Sequence, residues 1–191
     1  MSVSKFFKQF VRYPATIGAV APSSEGLAQQ MIKQIDFEKD QVIVEYGPGT
    51  GVFTQKILKN KKDETVFFAL ELDEQMYELA KQSVNEAEII KASAASILEH
   101  LNSKNLKHAD AIVSGLPWAA FSEALQEEIL QATIKALKPG GTFSTFAYLQ
   151  GIVLPSGKRF KRKLREKFSV VKKSPVVWFN MPPALVYWCK K

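Results

Sequence analysis

Val42-Ile43-Val44-Glu45-Tyr46-Gly47-Pro48-Gly49-Thr50-Gly51 is a short apolar run that drives into a turn with glycine at every second position. Val52-Phe53-Thr54-Gln55-Lys56-Ile57-Leu58 follows with helical spacing. Glycine lets a backbone turn tightly without a Cβ clash and lets a ligand approach it closely. A parallel strand feeding such a turn and then a helix is how an open α/β sheet builds a nucleoside site at the strand's carboxyl end. The spacing Gly47-x-Gly49-x-Gly51 differs from the dinucleotide pattern G-x-G-x-x-G. Further along, Phe67-Phe68-Ala69-Leu70-Glu71 is a second buried-type run, and it ends in a carboxylate. A carboxylate at a strand end can accept two hydrogen bonds from vicinal ribose hydroxyls. Asp73, just before Glu74-Gln75-Met76, reads instead as a helix N-cap. The competing reading is a structural strand–turn–helix with incidental glycines.

Glu45, the three glycines and Glu71 together resemble the cofactor site of class I S-adenosylmethionine-dependent methyltransferases. The resemblance implies S-adenosyl-L-methionine as cofactor, with Gly47, Gly49, Thr50 and Gly51 around it and Glu71 and Leu72 at its ribose. It gives Glu45 the task of orienting the turn or reaching the methionine amino group. The third strand ends at Ile90-Lys91-Ala92-Ser93-Ala94, where such enzymes contact adenine. An Asp is frequent there; this chain offers Ser93 and Ala94, and Ser93 reads equally well as a helix cap.

The rest of the chain fits one domain spanning 1–191. Its 191 residues suffice for a substantial core, and 46% hydrophobic with 24% charged residues are ordinary globular values. No apolar run approaches the ~20 residues of a membrane span, and no signal peptide is evident. The single Cys189 excludes an internal disulfide and fits a reducing cytoplasm; without a Cys/His cluster no structural zinc is expected, nor any other metal. Charge is placed unevenly. Residues 1–24 carry three cations and no acid, residues 25–150 twelve cations and eighteen acids, and residues 151–191 eleven cations and one acid. Basic ends of this kind attract anionic membranes or nucleic acid.

Val3, Phe6, Phe7, Phe10 and Val11 form one helical stripe with Lys5, Lys8 and Arg12 opposite, and Pro14 ends or bends that helix. A loop at 18–24 follows, with Ser23 or Ser24 capping a helix through Leu27, Met31 and Ile35. Strands are expected at 41–46, 65–71, 87–91, 109–114, 141–147, 169–179 and 184–189. Helices are expected at 52–60, 74–84, 94–102, 122–137 and 157–167. The fold class is therefore α/β: a Rossmann-like three-layer sandwich around a mostly parallel seven-stranded sheet, closed by a C-terminal antiparallel hairpin.

Ala109-Asp110-Ala111-Ile112-Val113-Ser114-Gly115-Leu116-Pro117-Trp118 runs the fourth strand into the reaction centre. Adenine N6-methyltransferases, including ribosomal RNA dimethylases, carry Asn-Leu-Pro-Tyr or Asn-Pro-Pro-Tyr at this place, the Tyr stacking on a flipped base. Ser114-Gly115-Leu116-Pro117 keeps the turn, lacks the Asn and presents Trp118. With Gly18-Ala19-Val20-Ala21-Pro22-Ser23-Ser24 and Asn180-Met181-Pro182-Pro183-Ala184-x-Val186-Tyr187, it resembles bacterial phospholipid N-methyltransferases, over nearly the whole chain. The chain departs from that family at Trp118, commonly aliphatic, and at Phe146-Ala147-Tyr148, more often Thr-Tyr.

The resemblance implies methylation of a phospholipid head-group amine, phosphatidylethanolamine going to its mono-, di- or trimethylated forms. It implies a cytoplasmic monomer peripherally bound to the inner face of the cell membrane, its phospholipid substrate lying in an anionic surface, and it argues against a nucleic-acid partner. Ser114 and Gly115 would position the amine, Ser114 also touching the cofactor, and Tyr148 would relay its proton or orient it. Trp118 and Tyr148 would face the cationic products, and Lys158 or Arg159 would hold the lipid phosphate. The helix in 1–24 would lie on the membrane, pack its Phe stripe onto the domain or cover the site as a lid. Phe160, Leu164 and Phe168 among the cations of 158–167 form a second basic amphipathic segment, or else ordinary core contacts beneath a solvated face. The alternatives are an RNA adenine dimethylase and a non-catalytic membrane- or RNA-binding protein on the same fold.

Overall fold

The computed structural model describes residues 23–191. The amphipathic stripe Val3–Arg12 and most of the 18–24 loop lie outside them. The elements are α1 (Glu25–Ile32), β1 (Val42–Tyr46), α2 (Val52–Asn60), β2 (Val66–Glu71), α3 (Glu74–Ser83), β3 (Glu88–Lys91), α4 (Ile97–Ser103), β4 (Ala109–Ser114), α5 (Glu123–Ala136), β5 (Leu137–Tyr148), α6 (Leu149–Val153), α7 (Pro155–Lys167), β6 (Val170–Lys173) and β7 (Ala184–Lys190). Short 3-10 turns stand at Ala94–Ser96 and Trp118–Ala120.

The strands form one sheet in the order β3-β2-β1-β4-β5-β7-β6. β1 to β5 pair in parallel, while β7 runs antiparallel between β5 and β6. The expected seven-stranded α/β architecture with its closing hairpin is the one observed. The central strands are apolar almost throughout because helices cover both faces. Side chains alternate between two cores. Val42, Val44, Tyr46, Phe68 and Leu70 point toward α4, α5 and α7, which contribute Ile97, Leu101, Ile129, Leu130, Phe160 and Leu164. Ile43, Phe67, Ala69, Ala111 and Val113 point toward α1, α2 and α3, which contribute Leu27, Met31, Phe53, Ile57 and Ala80. Caps define where the helices begin. The Ser24 hydroxyl accepts from Leu27 N–H, Asp73 from Gln75 and Met76, and Ser122 from Leu125.

Several boundaries move. β6 covers Val170–Lys173 where the spacing suggests 169–179. Pro175 has no N–H for the ladder, and beyond it Val177 touches Ala184 only through an isolated bridge. β5 starts at Leu137, with a register irregularity opposite Ala109 and Ala111. The helix expected at 94–102 is a 3-10 turn followed by α4, and α7 begins two residues early, at Pro155. α6 has no counterpart in the sequence pattern. α7 lays Phe160, Leu164 and the following Phe168 into the core, so most of its cations form the solvated face of a core helix, while Lys163 is buried against Glu123 and Glu127.

Candidate active site

The carboxyl ends of β1, β2, β4 and β5 converge on one edge of the sheet, and the glycine turn lies there. Gly47, Gly49 and Gly51 have φ of +66°, +53° and +81°, a region where side chains are strained. Gly47 N–H donates to the Leu70 carbonyl at 2.9 Å, stitching the turn to the end of β2. A Cβ on Gly49 would meet nothing within 4 Å, so the turn forms an open cradle, with Thr50 exposed on its rim. Gly51 caps α2 without a side-chain hydrogen bond, leaving the first-turn N–H groups to face that cradle.

Two carboxyls lie beneath it. Glu45 is fully buried; its Oε2 accepts from the Thr54 hydroxyl at 2.7 Å, while Oε1 has no partner. Burial, opposed by Thr54 and aided by the Glu71 charge, pushes Glu45 up to about 8. Glu71 is 2% exposed; its Oε1 accepts from Asp73 N–H at 3.0 Å and Oε2 is unpartnered. Burial and the Asp73 charge raise it to about 7 against the pull of backbone N–H donors. A buried carboxylate oxygen without a donor is costly. Two of them beside an open backbone cradle fit a nucleoside cofactor whose hydroxyl and ammonium groups supply donors. Leu72 is exposed beside Glu71. Ser93 caps the 3-10 turn through Ala95 N–H, as its alternative reading had it, and Ala94 is buried beneath.

The loop after β4 departs from expectation. Ser114 is fully buried, and its hydroxyl accepts from the Trp118 indole N–H at 3.0 Å, so the side chain expected to face the amine or cofactor faces the core. Trp118, 2% exposed, stacks on Phe160 at 4.5 Å between ring centres and meets Phe121 and Phe143 edge-on. Gln126 holds the turn by donating to the Trp118 carbonyl at 2.7 Å. The indole expected at the substrate packs on Phe160 of α7, a partner no local pattern reveals, and it also lines the adjacent cavity. Gly115 is a close-approach glycine. Its N–H donates to the Tyr46 carbonyl at 2.8 Å, and a Cβ there would lie 2.5 Å from the Gly47 carbonyl oxygen.

Beside this loop lies a cavity of about 190 Å³, between Leu116–Ala120, the end of β5 at Phe146–Tyr148, and the α6–α7 elbow. Tyr148 lines it, and burial raises the phenol above its ordinary range, so it keeps its proton at neutral pH. That opposes a relay in which the phenol is the base. Gly157 and Phe160 face the cavity from α7, whereas Lys158 and Arg159 do not line it. Arg159 turns its guanidinium toward Glu123, 3.9 Å away, and Lys158 is exposed. Phe160, Gly157 and Tyr187 complete the lining and were missed as site residues. The sequence signal for Phe160 was the apolar stripe of α7, which reads the same for any core helix, and Tyr187 stood only as the end of the Asn180–Tyr187 motif.

Among the described residues no group of His, Cys, Asp or Glu could hold a metal, and no helix is long and apolar enough to cross a membrane. The fold is that of an O-methyltransferase from Bacillus cereus in complex with SAH, at a TM-score of 0.69 and 13% identity, covering 100% of this chain and 92% of that one. The ornithine lipid N-methyltransferase of Singulisphaera acidiphila is 27% identical over 188 residues, 97% of this chain and 94% of that protein. Ribosomal RNA small subunit methyltransferase A of Mycoplasma capricolum is 35% identical over 106 residues, 54% of this chain; the match spans only 39% of that protein's length. A family model described as ribosomal RNA adenine dimethylase matches residues 23–176. The cofactor is S-adenosylmethionine, and the chain belongs to the ribosomal RNA adenine dimethylase family of class I S-adenosylmethionine-dependent methyltransferases.

Proposed function

We propose that this methyltransferase acts on the head-group amine of a membrane lipid, with phosphatidylethanolamine as the substrate that the sequence motifs favour. The observation that carries the reading is the apolar cavity between Leu116-Pro117-Trp118, Tyr148 and the α6–α7 elbow, next to the cofactor cradle. A flipped adenine needs hydrogen-bonding groups on its Watson–Crick edge. Here the position of the Asn is held by Ser114, whose hydroxyl is spent on Trp118. The near-full-length relative that methylates an ornithine lipid supports an aminolipid over RNA. In this reading 1–191 is a single domain whose segment 1–24 binds the membrane or covers the site, and the enzyme works as a peripheral membrane protein.

When bound, S-adenosylmethionine supplies a methyl group on a sulfonium, an electrophile for a direct displacement. Glu71 would accept from its ribose hydroxyls, with Leu72 beside them, and Glu45 from its amino group or the turn, while Ser93 and Ala94 would flank the adenine. The residues of this chain then have to hold an amine in line with the methyl group, which is where most of the rate comes from. The Gly115 carbonyl and the Tyr148 hydroxyl orient the amine. A primary alkylammonium titrates around 10, so its proton must pass to water before the nitrogen can attack a methyl group. The Tyr148 ring face accommodates the methylated ammonium by a cation–π contact of ~0.5–2 kcal/mol. Lys158, exposed at the start of α7, is the better placed of the two phosphate candidates, because Arg159 is turned to Glu123.

The test uses methyl-labelled S-adenosylmethionine with, separately, phosphatidylethanolamine vesicles, ornithine-lipid vesicles and ribosomal RNA. Label in the lipid extract is the expected result. Label in ribosomal RNA alone overturns the substrate class, and label in neither lipid nor RNA favours a binding protein on this fold.

A further inference from the structure

Two segments leave the sheet side by side at the edge that carries the site. α6 continues from β5, and the 174–183 segment leads into β7. Tyr148 pairs with Ala184, and Leu149 N–H donates to the Pro183 carbonyl at 3.0 Å, which fixes the two segments together. Both send large apolar side chains into solvent. Val153 and Leu154 stand exposed at the α6–α7 elbow, and Trp178, Phe179 and Met181 stand exposed on the other segment, with Phe179 at 96%.

The second segment is held, not slack. Val177 N–H donates to the Ala184 carbonyl at 2.8 Å. Asn180 is buried; its Oδ1 accepts from Ser24 N–H at 2.9 Å and its Nδ2 donates to the Pro182 carbonyl at 2.7 Å. The polar side chain of the loop therefore points in and the apolar ones point out, the reverse of an ordinary connecting loop. Leu154 also lines the apolar cavity, so the cavity reaches the surface at this patch. Exposed cations border it: Lys158 one turn past Leu154, and Lys172 and Lys173 on the edge strand leading into the loop.

We propose that Trp178, Phe179 and Met181, with Val153 and Leu154 of the elbow, insert into the headgroup–acyl boundary of a lipid bilayer and bring the cavity mouth to the membrane plane. The proposal rests on the lipid reading above and gives that site its route to substrate. An aromatic rim with a Trp, aliphatic tips and flanking lysines suits this boundary, where apolar burial and attraction to anionic head groups act together. It also gives a role to the Asn180-Met181-Pro182-Pro183 motif, which the catalytic reading leaves unused.

The test compares the full chain with W178S/F179S/M181S and, separately, F179D. The side chains are exposed, so both variants should melt with the wild-type protein. Partition onto phosphatidylethanolamine–phosphatidylglycerol vesicles is read by flotation. Methylation is read in parallel on those vesicles, on ribosomal RNA and on a short-chain phosphatidylethanolamine kept below its micelle concentration. The expected result is at least a tenfold loss of vesicle partition in both variants, with methylation of the monomeric short-chain lipid within twofold of wild type. Unchanged partition overturns the proposal. So does a wild-type protein that self-associates in solution through this patch, with variants that lose the association and keep vesicle binding. Lost partition together with methylation of RNA alone supports the docking surface and removes the lipid-substrate reading.

Discussion

The indole N–H of Trp118 donates to the hydroxyl of Ser114 at 3.0 Å, and both side chains are shut away from solvent. This bond turns the residue after Leu116-Pro117 into the core, where Phe160 stacks on it at 4.5 Å. Ser114→Ala leaves a buried indole N–H without an acceptor and should lower stability by about 1–3 kcal/mol, with cofactor affinity unchanged. Trp118→Ala removes a packed aromatic and should cost about 3–5 kcal/mol. Since the ring packs against Phe160, methylation should fall evenly across successive transfers in Trp118→Ala. Urea unfolding and product ratios by mass spectrometry check both points; a selective loss of later methylations would return Trp118 to the substrate.

Glu71 has one carboxylate oxygen held by Asp73 N–H and one unpartnered and buried. Replacing it with Ala leaves ribose hydroxyls without their charged acceptor and should weaken S-adenosylmethionine binding by roughly 2–3 kcal/mol. Calorimetric titration measures this directly. An affinity equal to wild type would detach Glu71 from the cofactor.

Burial raises Glu71 to about 7 and Glu45 to about 8. A carboxyl whose folded pKa lies above its unfolded value binds its proton more tightly when folded. Its stabilising contribution is complete below the unfolded value near 4.5 and is lost as pH climbs through the folded one. The cofactor-free protein should therefore lose stability between about pH 5 and pH 8, by roughly 3 kcal/mol for Glu71. Donors from a bound cofactor favour the ionised form, so saturating S-adenosylmethionine should flatten the slope, and Glu71→Gln should remove the Glu71 part of it. Melting temperatures across that window, with and without cofactor, test the sign; a rise in stability over the same window contradicts it.

Gly49 and Gly115 should fail in different ways. A Cβ on Gly49 meets nothing within 4 Å, so Gly49→Ala bears only the strain of its +53° φ, about 1–2 kcal/mol. Its methyl group projects into the cradle, and cofactor affinity should drop at least tenfold. A Cβ on Gly115 lies 2.5 Å from the Gly47 carbonyl oxygen, so the β1 and β4 loops must part. Gly115→Ala should destabilise by roughly 1–3 kcal/mol or more. Paired thermal and binding measurements separate the two; equal stability losses would contradict the difference in their surroundings.

The parts of this protein legible from sequence are those decided within a few residues. The apolar run Val42–Tyr46, the alternating glycines and the helix at 52–60 follow from strand hydrophobicity, backbone freedom and 3.6-residue spacing, and the structure has them at those places. The positions of Glu45 and Glu71 at neighbouring strand ends follow the same way, since β1 and β2 pair in parallel with Glu45 opposite Ala69. The direction of Trp118 was not legible, because its partner Phe160 is 42 positions away and reaches it only after α7 packs on the sheet. The stripe Phe160, Leu164 and Phe168 has one periodicity whether it meets a membrane or a core; only the sheet beneath it decides. Arg159 turns to Glu123 and away from the cavity for the same reason, since α5 comes to lie beside α7. Spacing along the chain sets which side chains share a face, and tertiary packing sets what that face meets.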